Sequence, residues 1–256
     1  MENIRKTYGA TLVLKGLEFV VGEREIVGLV GDNGAGKSTL IKILVGAVRP
    51  DEGARIFWKG KEVSIRKPID AIELGMESIY QDSSLVDEID VTRNLFLGRE
   101  PVRRIGPFAF LDKAKMRKEA TELMSLIGIK KIDLRSPIGS MSGGEKQSIA
   151  IARAMYFQKD LIILDEPTNH LGVEESNSVL DFVVSAKAAG HSTIFITHNV
   201  HHIYQVADRI VVLRLGQIVG DLIKSETTMD EIESLILGKN PALGNAPSSM
   251  KGGNPR

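Results

Sequence analysis

Residues Gly31-Asp32-Asn33-Gly34-Ala35-Gly36-Lys37-Ser38 fit the pattern G-x-x-x-x-G-K-[ST] at every constrained position. The spacing has a chemical meaning. Glycines let successive backbone N–H groups turn inward around a polyanion, because they accept conformations that other residues avoid. A helix starting near Lys37 adds the positive end of its dipole. In such a loop Lys37 reaches the β- and γ-phosphates of a nucleotide, and the Ser38 hydroxyl binds Mg²⁺. The expected nucleotide contacts are Gly31, Asn33, Gly34, Ala35, Gly36, Lys37, Ser38 and Thr39. A chance glycine turn is the competing reading. It is weakened by the apolar run Ile26 to Val30 leading in and the helical pattern Ser38 to Val45 leading out.

A second feature is Leu161-Ile162-Ile163-Leu164-Asp165-Glu166, four apolar residues followed by two acids. Ligands bind at the carboxyl ends of parallel strands, so a buried strand ending in a carboxylate can bring it to a phosphate loop. Asp165 is expected to hold Mg²⁺, directly or through water. Glu166 projects one residue further and is placed to polarise an attacking water as general base. Alone, both acids could be turn residues ahead of Pro167; the phosphate loop upstream favours the metal reading. His198 and His202 have the i, i+4 spacing of a helical zinc site. No glutamate follows His198 and no third ligand is evident, so zinc is not expected. With no cysteine in the chain, disulfides and thiol chemistry are excluded.

The element that separates one ATPase class from another is Met141-Ser142-Gly143-Gly144-Glu145-Lys146-Gln147. Locally, Ser142 and Glu145 form an S-x-x-E capping box, so a well-capped helix is the plain reading. The two glycines leave the helix N-terminus bare, which suits a second anion site. The motif resembles the signature of ABC-type ATPases, commonly L-S-G-G-Q, with Met141 and Glu145 as substitutions. Further residues follow in the family's order. Tyr8 looks like the aromatic that stacks on adenine, Gln81 like the Q-loop glutamine, a catalytic residue and metal ligand, and His198 like the histidine that contacts the γ-phosphate. The resemblance covers about residues 3 to 238. It implies ATP and Mg²⁺ as cofactors and a head-to-tail homodimer. There the phosphate loop of one copy faces Ser142, Gly143, Gly144 and Glu145 of the other across ATP. Losing the γ-phosphate removes charge that two helix N-termini share. Two departures stand out: Gly172 follows Leu171 where the family commonly has Asp, and the chain starts so close to Tyr8 that its first strand looks short.

Finer texture resembles the carbohydrate-uptake branch serving ribose, xylose, fructose or related sugars. The segments that carry it are Tyr80-Gln81-Asp82, Asn94 to Glu100, Thr168 to Glu174, and Val206 to Ile210 followed by Arg214 to Gln217. This implies two membrane permease subunits and, indirectly, an extracellular or periplasmic sugar-binding protein as partners. The segment Asp82 to Glu100 would lie near the permease. Soluble members acting in translation or DNA repair are the competing class; Asn169-His170-Leu171 resembles the translation type. Such chains usually carry two modules and a charged linker, or a long coiled coil, and neither is seen here. A third possibility is the ATPase of a non-sugar transporter, such as an exporter, whose module is usually fused to membrane helices.

The elements that must position these residues follow from periodicity. Apolar runs predict strands over Leu17 to Val21, Ile26 to Val30, Ala54 to Trp58, Met76 to Tyr80, Leu161 to Leu164, Thr193 to Thr197 and Ile210 to Leu213. Helices are expected over Ser38 to Val45, Lys113 to Ile127 between Asp112 and Gly128, Ser142 to Phe157, Val173 to Ala189, Val200 to Val206 and Met229 to Leu237. Strands alternating with helices mean an α/β fold with a mostly parallel sheet. The full expectation is a P-loop NTPase core of 1–84 and 158–240, with a small N-terminal antiparallel region. A mostly helical lobe of about 85–157 interrupts it, and a disordered tail of 241–256 follows. Lys and Arg over 103–118 read as a solvated face. Lys plus Arg equals Asp plus Glu, 33 each, so binding nucleic acid through bulk charge is disfavoured and no nucleic acid is expected. No apolar run is long enough to span a bilayer and no signal peptide is apparent. The expected place is the cytoplasmic face of the cell membrane, reached through a partner.

Overall fold

The computed structural model describes residues 1–79, 85–126, 132–156, 160–169 and 172–239. Its centre is a six-stranded sheet in the order β12-β11-β3-β10-β9-β6. The strands are β3 (Ile26–Val30), β6 (Met76–Ile79), β9 (Leu161–Asp165), β10 (Ser192–Ile196), β11 (Arg209–Arg214) and β12 (Gln217–Ile223). All pair in parallel except β12, which lies antiparallel on the edge beside β11. A parallel sheet is buried on both faces, so its strands need apolar residues throughout rather than in alternation. β3 and β10 are buried at every position.

Alternate residues of these strands feed two separate cores. Val27, Leu29, Ile163, Ile194 and Ile196 pack beneath α1 (Lys37–Leu44) and the N-terminal hairpin β1 (Ile4–Tyr8) and β2 (Thr11–Leu17). Ile26, Val30, Ile162, Leu164 and Phe195 face α6 (Val173–Ala188), α7 (Val200–Val206) and α8 (Met229–Leu237). A small hairpin, β4 (Ile56–Trp58) and β5 (Lys61–Val63), and the short α2 (Pro68–Glu73) complete the first side.

A third apolar cluster is made by α3 (Val91–Phe96), α4 (Lys113–Leu126) and α5 (Gly143–Tyr156). Phe96 and Tyr156 meet edge to face at 4.7 Å. At its centre Asn94 is fully buried. Its Nδ2 donates to the carbonyls of Val86, Ile89 and Asp90, and its Oδ1 accepts from the Val86 N–H at 2.7 Å. One side chain thus ties together the turn that leads into α3, giving the Val86 N–H its acceptor and three carbonyls a second donor.

Several boundaries differ from the periodicity. Leu17 ends β2 and residues 18–21 are not a strand: Phe19 is buried but its N–H is taken by the Met1 carbonyl outside any ladder. The N-terminal strands are the β1–β2 hairpin instead. The stretch 102–111, read as part of a helical lobe, forms a separate hairpin, β7 (Val102–Ile105) and β8 (Phe108–Leu111). Gly106 at φ 61° allows its turn, and Pro107 follows. Gly128, the expected stop of α4, and the tail 241–256 lie outside the described residues. Among the described residues no helix is long and apolar enough to cross a membrane.

Replacing Asn94 with Ala removes four hydrogen bonds: the Val86 N–H loses its acceptor, and the carbonyls of Val86, Ile89 and Asp90 keep only their backbone donors. The variant is expected to lose about 2–4 kcal/mol of stability, read as a lower urea midpoint at unchanged m-value.

Candidate functional site

Register decides which residues meet. In the ladder Ile196 of β10 stands opposite Leu29 of β3 on one side and Asp165 of β9 on the other. The three strands therefore end level. The chain leaves β3 into Gly31–Gly36, β9 into Glu166, and β10 into Thr197 and His198. Two hydrogen bonds lock this edge: Glu166 N–H to the Ile196 carbonyl at 2.9 Å and Thr197 N–H to the Leu29 carbonyl at 3.3 Å.

Above that edge lies a cleft of about 560 Å³. Its walls are Asp32 through Thr39, with Asp165, Glu166, Asn169 and His198 opposite and Val13 at one side. A cleft of nearly equal size, about 570 Å³, opens at the other end of the sheet near Phe57, Trp58 and Ser192. It holds none of the motif residues, so chemistry rather than volume picks out the first.

The loop needs its glycines for stated reasons. Gly31 has φ 151°, and a Cβ there would lie 2.1 Å from the Leu213 carbonyl oxygen. Gly34 and Gly36 also have positive φ, and Gly36 is the residue from which α1 starts. The Lys37 side chain is buried and donates to the carbonyls of Gly31 and Asp32, at 2.5 and 3.1 Å. Burial lowers its pKa, against the opposing pull of Glu166, Asp165 and Asp32. Ser38 beside it is exposed to the cleft. Burial, and then the neighbouring Glu166 charge, raise the Asp165 pKa, while Lys37 and Lys42 oppose them. A divalent cation between Asp165 and the Ser38 hydroxyl would reverse that balance, since both groups are oxygen donors of the kind Mg²⁺ prefers.

Glu166 is held at φ 51°, a left-handed conformation that costs a non-glycine residue about 1 kcal/mol or more. Its carboxylate faces His198, whose Nδ1 lies 3.0 and 3.1 Å from the two oxygens. The carboxylate is largely buried and the imidazole mostly open to solvent. Such a pair can hold a water with the carboxylate as proton acceptor. His202 does not join it: its Nδ1 meets the Thr168 hydroxyl at 3.0 Å, and burial lowers its pKa.

Two groups of expected residues stand elsewhere. Tyr8 is half exposed at the end of β1, with Lys6 Nζ 5.3 Å from its ring centre, and is not part of the cleft wall. It pairs with Thr11, two residues along β2 from Val13. Ser142, Gly143, Gly144 and Glu145 do not line the cleft either. Ser142 and Glu145 form the capping box: Ser142 N–H and Oγ–H both donate to Glu145 Oε2, at 2.8 and 2.9 Å, and Glu145 N–H donates back at 3.3 Å. Those bonds lower the Glu145 pKa. Gly143 leaves open space where a Cβ would be. Gln81 lies outside the described residues.

Val13, Asp32 and Asn169 are wall residues beyond the expected ones. Asp32 sits at a free position of the loop pattern and Val13 on a strand that periodicity did not reveal.

Gly31→Ala would force the loop away from the Leu213 carbonyl. A lower melting temperature and loss of binding to a fluorescent nucleoside triphosphate are expected from differential scanning and titration.

A family model described as ABC transporter matches residues 14–169. The chain is 41% identical over 243 residues to the xylose/arabinose import ATP-binding protein of Sulfolobus acidocaldarius, covering 93% of this chain and 95% of that one. It is 38% identical to the fructose import ATP-binding protein of Rhizobium meliloti, covering 91% of each. A ribose import ATP-binding protein of Streptomyces avermitilis is also 38% identical, but the match spans 94% of this chain and only 45% of that longer protein. Among solved structures, a nucleotide-free ATP-binding cassette from an ABC transporter superposes with a TM-score of 0.78 at 23% identity, over 94% of this chain and 95% of the other. A dimeric cassette bound to ADP and Pi superposes at 0.75 and 21% identity, over 87% and 97%. A match of that extent to the family, joined to near end-to-end relatives and the cassette fold, means that the chain belongs to the ABC transporter family, as one of its ATP-binding cassettes.

Proposed function

We propose that the chain binds ATP with Mg²⁺ and hydrolyses it as one half of a head-to-tail homodimer, energising the import of a sugar through a membrane permease. One observation carries the mechanism. The cleft gathers Lys37, Ser38, Asp165, Glu166 and His198, while the exposed helix start at Ser142 to Glu145 stands outside it in the same chain. A second copy is what can bring that helix start to the phosphates.

In this reading the β- and γ-phosphates lie on the N–H groups of Asn33 to Ser38 and the Lys37 ammonium, joined by Thr39. Asp165, Ser38 and Gln81 hold Mg²⁺. Glu166 takes a proton from the attacking water, and His198 steadies the γ-phosphate. Tyr8 stacks on the adenine. Across the dimer Ser142, Gly143 and Gly144 donate to the γ-phosphate. Glu145 has to share Ser142 with it, because its carboxylate already accepts the Ser142 hydroxyl. Hydrolysis removes the shared charge and lets the copies part.

The domain reading is one module, with a core of 1–84 and 158–240, a helical lobe of about 85–157 and a tail beyond 240. The partners are two permease subunits and, through them, an extracellular or periplasmic sugar-binding protein, with the cassette on the cytoplasmic face and no nucleic acid engaged. The names of the relatives at xylose, arabinose, fructose and ribose import support the sugar class.

Lys37→Met is expected to weaken ATP binding by roughly a hundredfold or more, because the phosphates lose a charge-assisted contact in a shielded site; titration of a fluorescent ATP analogue checks it. Glu166→Gln should keep that binding, stop turnover, and give a dimer by light scattering only when ATP and Mg²⁺ are both present. A monomer under those conditions would refute the sandwich for the isolated chain. Tagged chain drawn from detergent-solubilised membranes should bring a polytopic permease in stoichiometric amount; ribosomes or DNA instead would overturn the transport reading.

A further inference from the structure

The hairpin β7–β8 belongs to none of the three apolar cores. All eight of its strand residues are exposed. Opposed residues are Val102 and Leu111, Arg103 and Phe110, Arg104 and Ala109, Ile105 and Phe108. Opposed pairs share a face and successive pairs alternate between faces. One face therefore carries Arg103, Phe110, Ile105 and Phe108, and the other Val102, Leu111, Arg104 and Ala109. Phe108 is 65% exposed, Ile105 57% and Phe110 54%, and the two rings lie 6.4 Å apart.

Such a ribbon is not self-sufficient. It pairs with no third strand among the described residues. A lone two-stranded hairpin is marginal in water, and a cluster of large exposed apolar side chains marks a contact site. A protein surface would cover one face; apolar residues on both faces call for surroundings that wrap the ribbon.

Charge and position narrow those surroundings. The turn itself, Ile105-Gly106-Pro107-Phe108, is apolar. Arg104 and Arg103 sit one and two residues behind it, roughly 3 and 7 Å along the strand. Interfacial elements bury their apolar part about 5–10 Å into a bilayer, with cations at headgroup level. Neither arginine forms an ion pair among the described residues, nor do Lys113 and Arg117 on the following helix, whereas Lys115 and Lys118 face Glu119 and Glu122. The acids at the hairpin's base are engaged: Glu100 accepts from Gly98 N–H and Asp112 from Lys115 N–H. The base is also anchored, since Arg99 pairs with Glu77 of β6 at 3.0 Å.

We propose that β7–β8 is a membrane-contact hairpin, which places its apolar turn in the interface of an anionic bilayer while Arg103 and Arg104 meet lipid phosphates. The proposal rests on the reading that this cassette works at a membrane, but it needs no permease, and so the two are tested apart. The full chain is floated with protein-free vesicles of phosphatidylcholine alone or mixed with phosphatidylglycerol. It should float with the mixture, stay behind with phosphatidylcholine alone, and be released by high salt. Phe108→Ser with Phe110→Ser, and separately Arg103→Gln with Arg104→Gln, should each weaken flotation on the order of tenfold. Titration of a fluorescent ATP analogue should give wild-type affinity for both variants, showing that they are folded. Failure of the wild-type chain to float, or equal flotation of the folded phenylalanine variant, overturns the proposal. So does hairpin cross-linking to a permease without any vesicle binding. A chain that floats but draws no permease from membranes would keep the hairpin's role and defeat the transport reading.

Discussion

The parallel pairing of β10 with β3 on one flank and β9 on the other sets the height at which three loops leave the sheet. Ile196 is the fixed point: it faces Leu29 and Asp165, and its carbonyl accepts the Glu166 N–H. A shift of one residue in either ladder would move Asp165 or Gly31 by about 3.3 Å and turn alternate side chains to the opposite core. The two apolar cores prevent that shift, because Ile26 and Val30 fit one side of the sheet and Val27 and Leu29 the other. Burial on both faces thus holds the chemistry in place more firmly than any contact within the cleft.

The cleft itself is built against local preference. Lys37 is buried with its ammonium on two backbone carbonyls, Asp165 is partly desolvated beside a second acid, and Glu166 occupies a left-handed conformation. Each feature costs stability, and the two charged ones would be relieved by what the site binds. Phosphates supply Lys37 with anions, and a divalent cation supplies Asp165 with positive charge. This is how a fold concentrates strain and unfavourable charge where a ligand can cancel them.

The capping box at Ser142 shows a helix start satisfied by its own side chains while still facing outward. Glu145 holds Ser142 through two short hydrogen bonds, and Gly143 leaves the backbone open beside it. Asn94 solves the matching problem inside the third cluster, where it feeds four hydrogen bonds to one turn. In both places a side chain accepts a backbone N–H that no backbone carbonyl takes, that of Val86 in one and those of Ser142 and Glu145 in the other.

By itself the sequence determined the phosphate loop, the acidic strand end, the capped helix at Ser142 and the alternating strands and helices. Each is written in a short window: glycine spacing, a run of apolar residues, a serine three before a glutamate. It also carried the family resemblance, which the comparisons bear out. It announced a small N-terminal antiparallel region but not the bounds of β1 and β2, and it did not reveal the β7–β8 hairpin or the edge strand β12. Their residues lack the apolar run of a buried strand, since one or both faces meet water. Nor did it show that His198 turns to Glu166 while His202 turns to Thr168, or that Val13 and Asn169 wall the cleft. Those pairings join residues far apart in the chain, and only the ladder register and the packing of helices on the sheet bring them within hydrogen-bond distance.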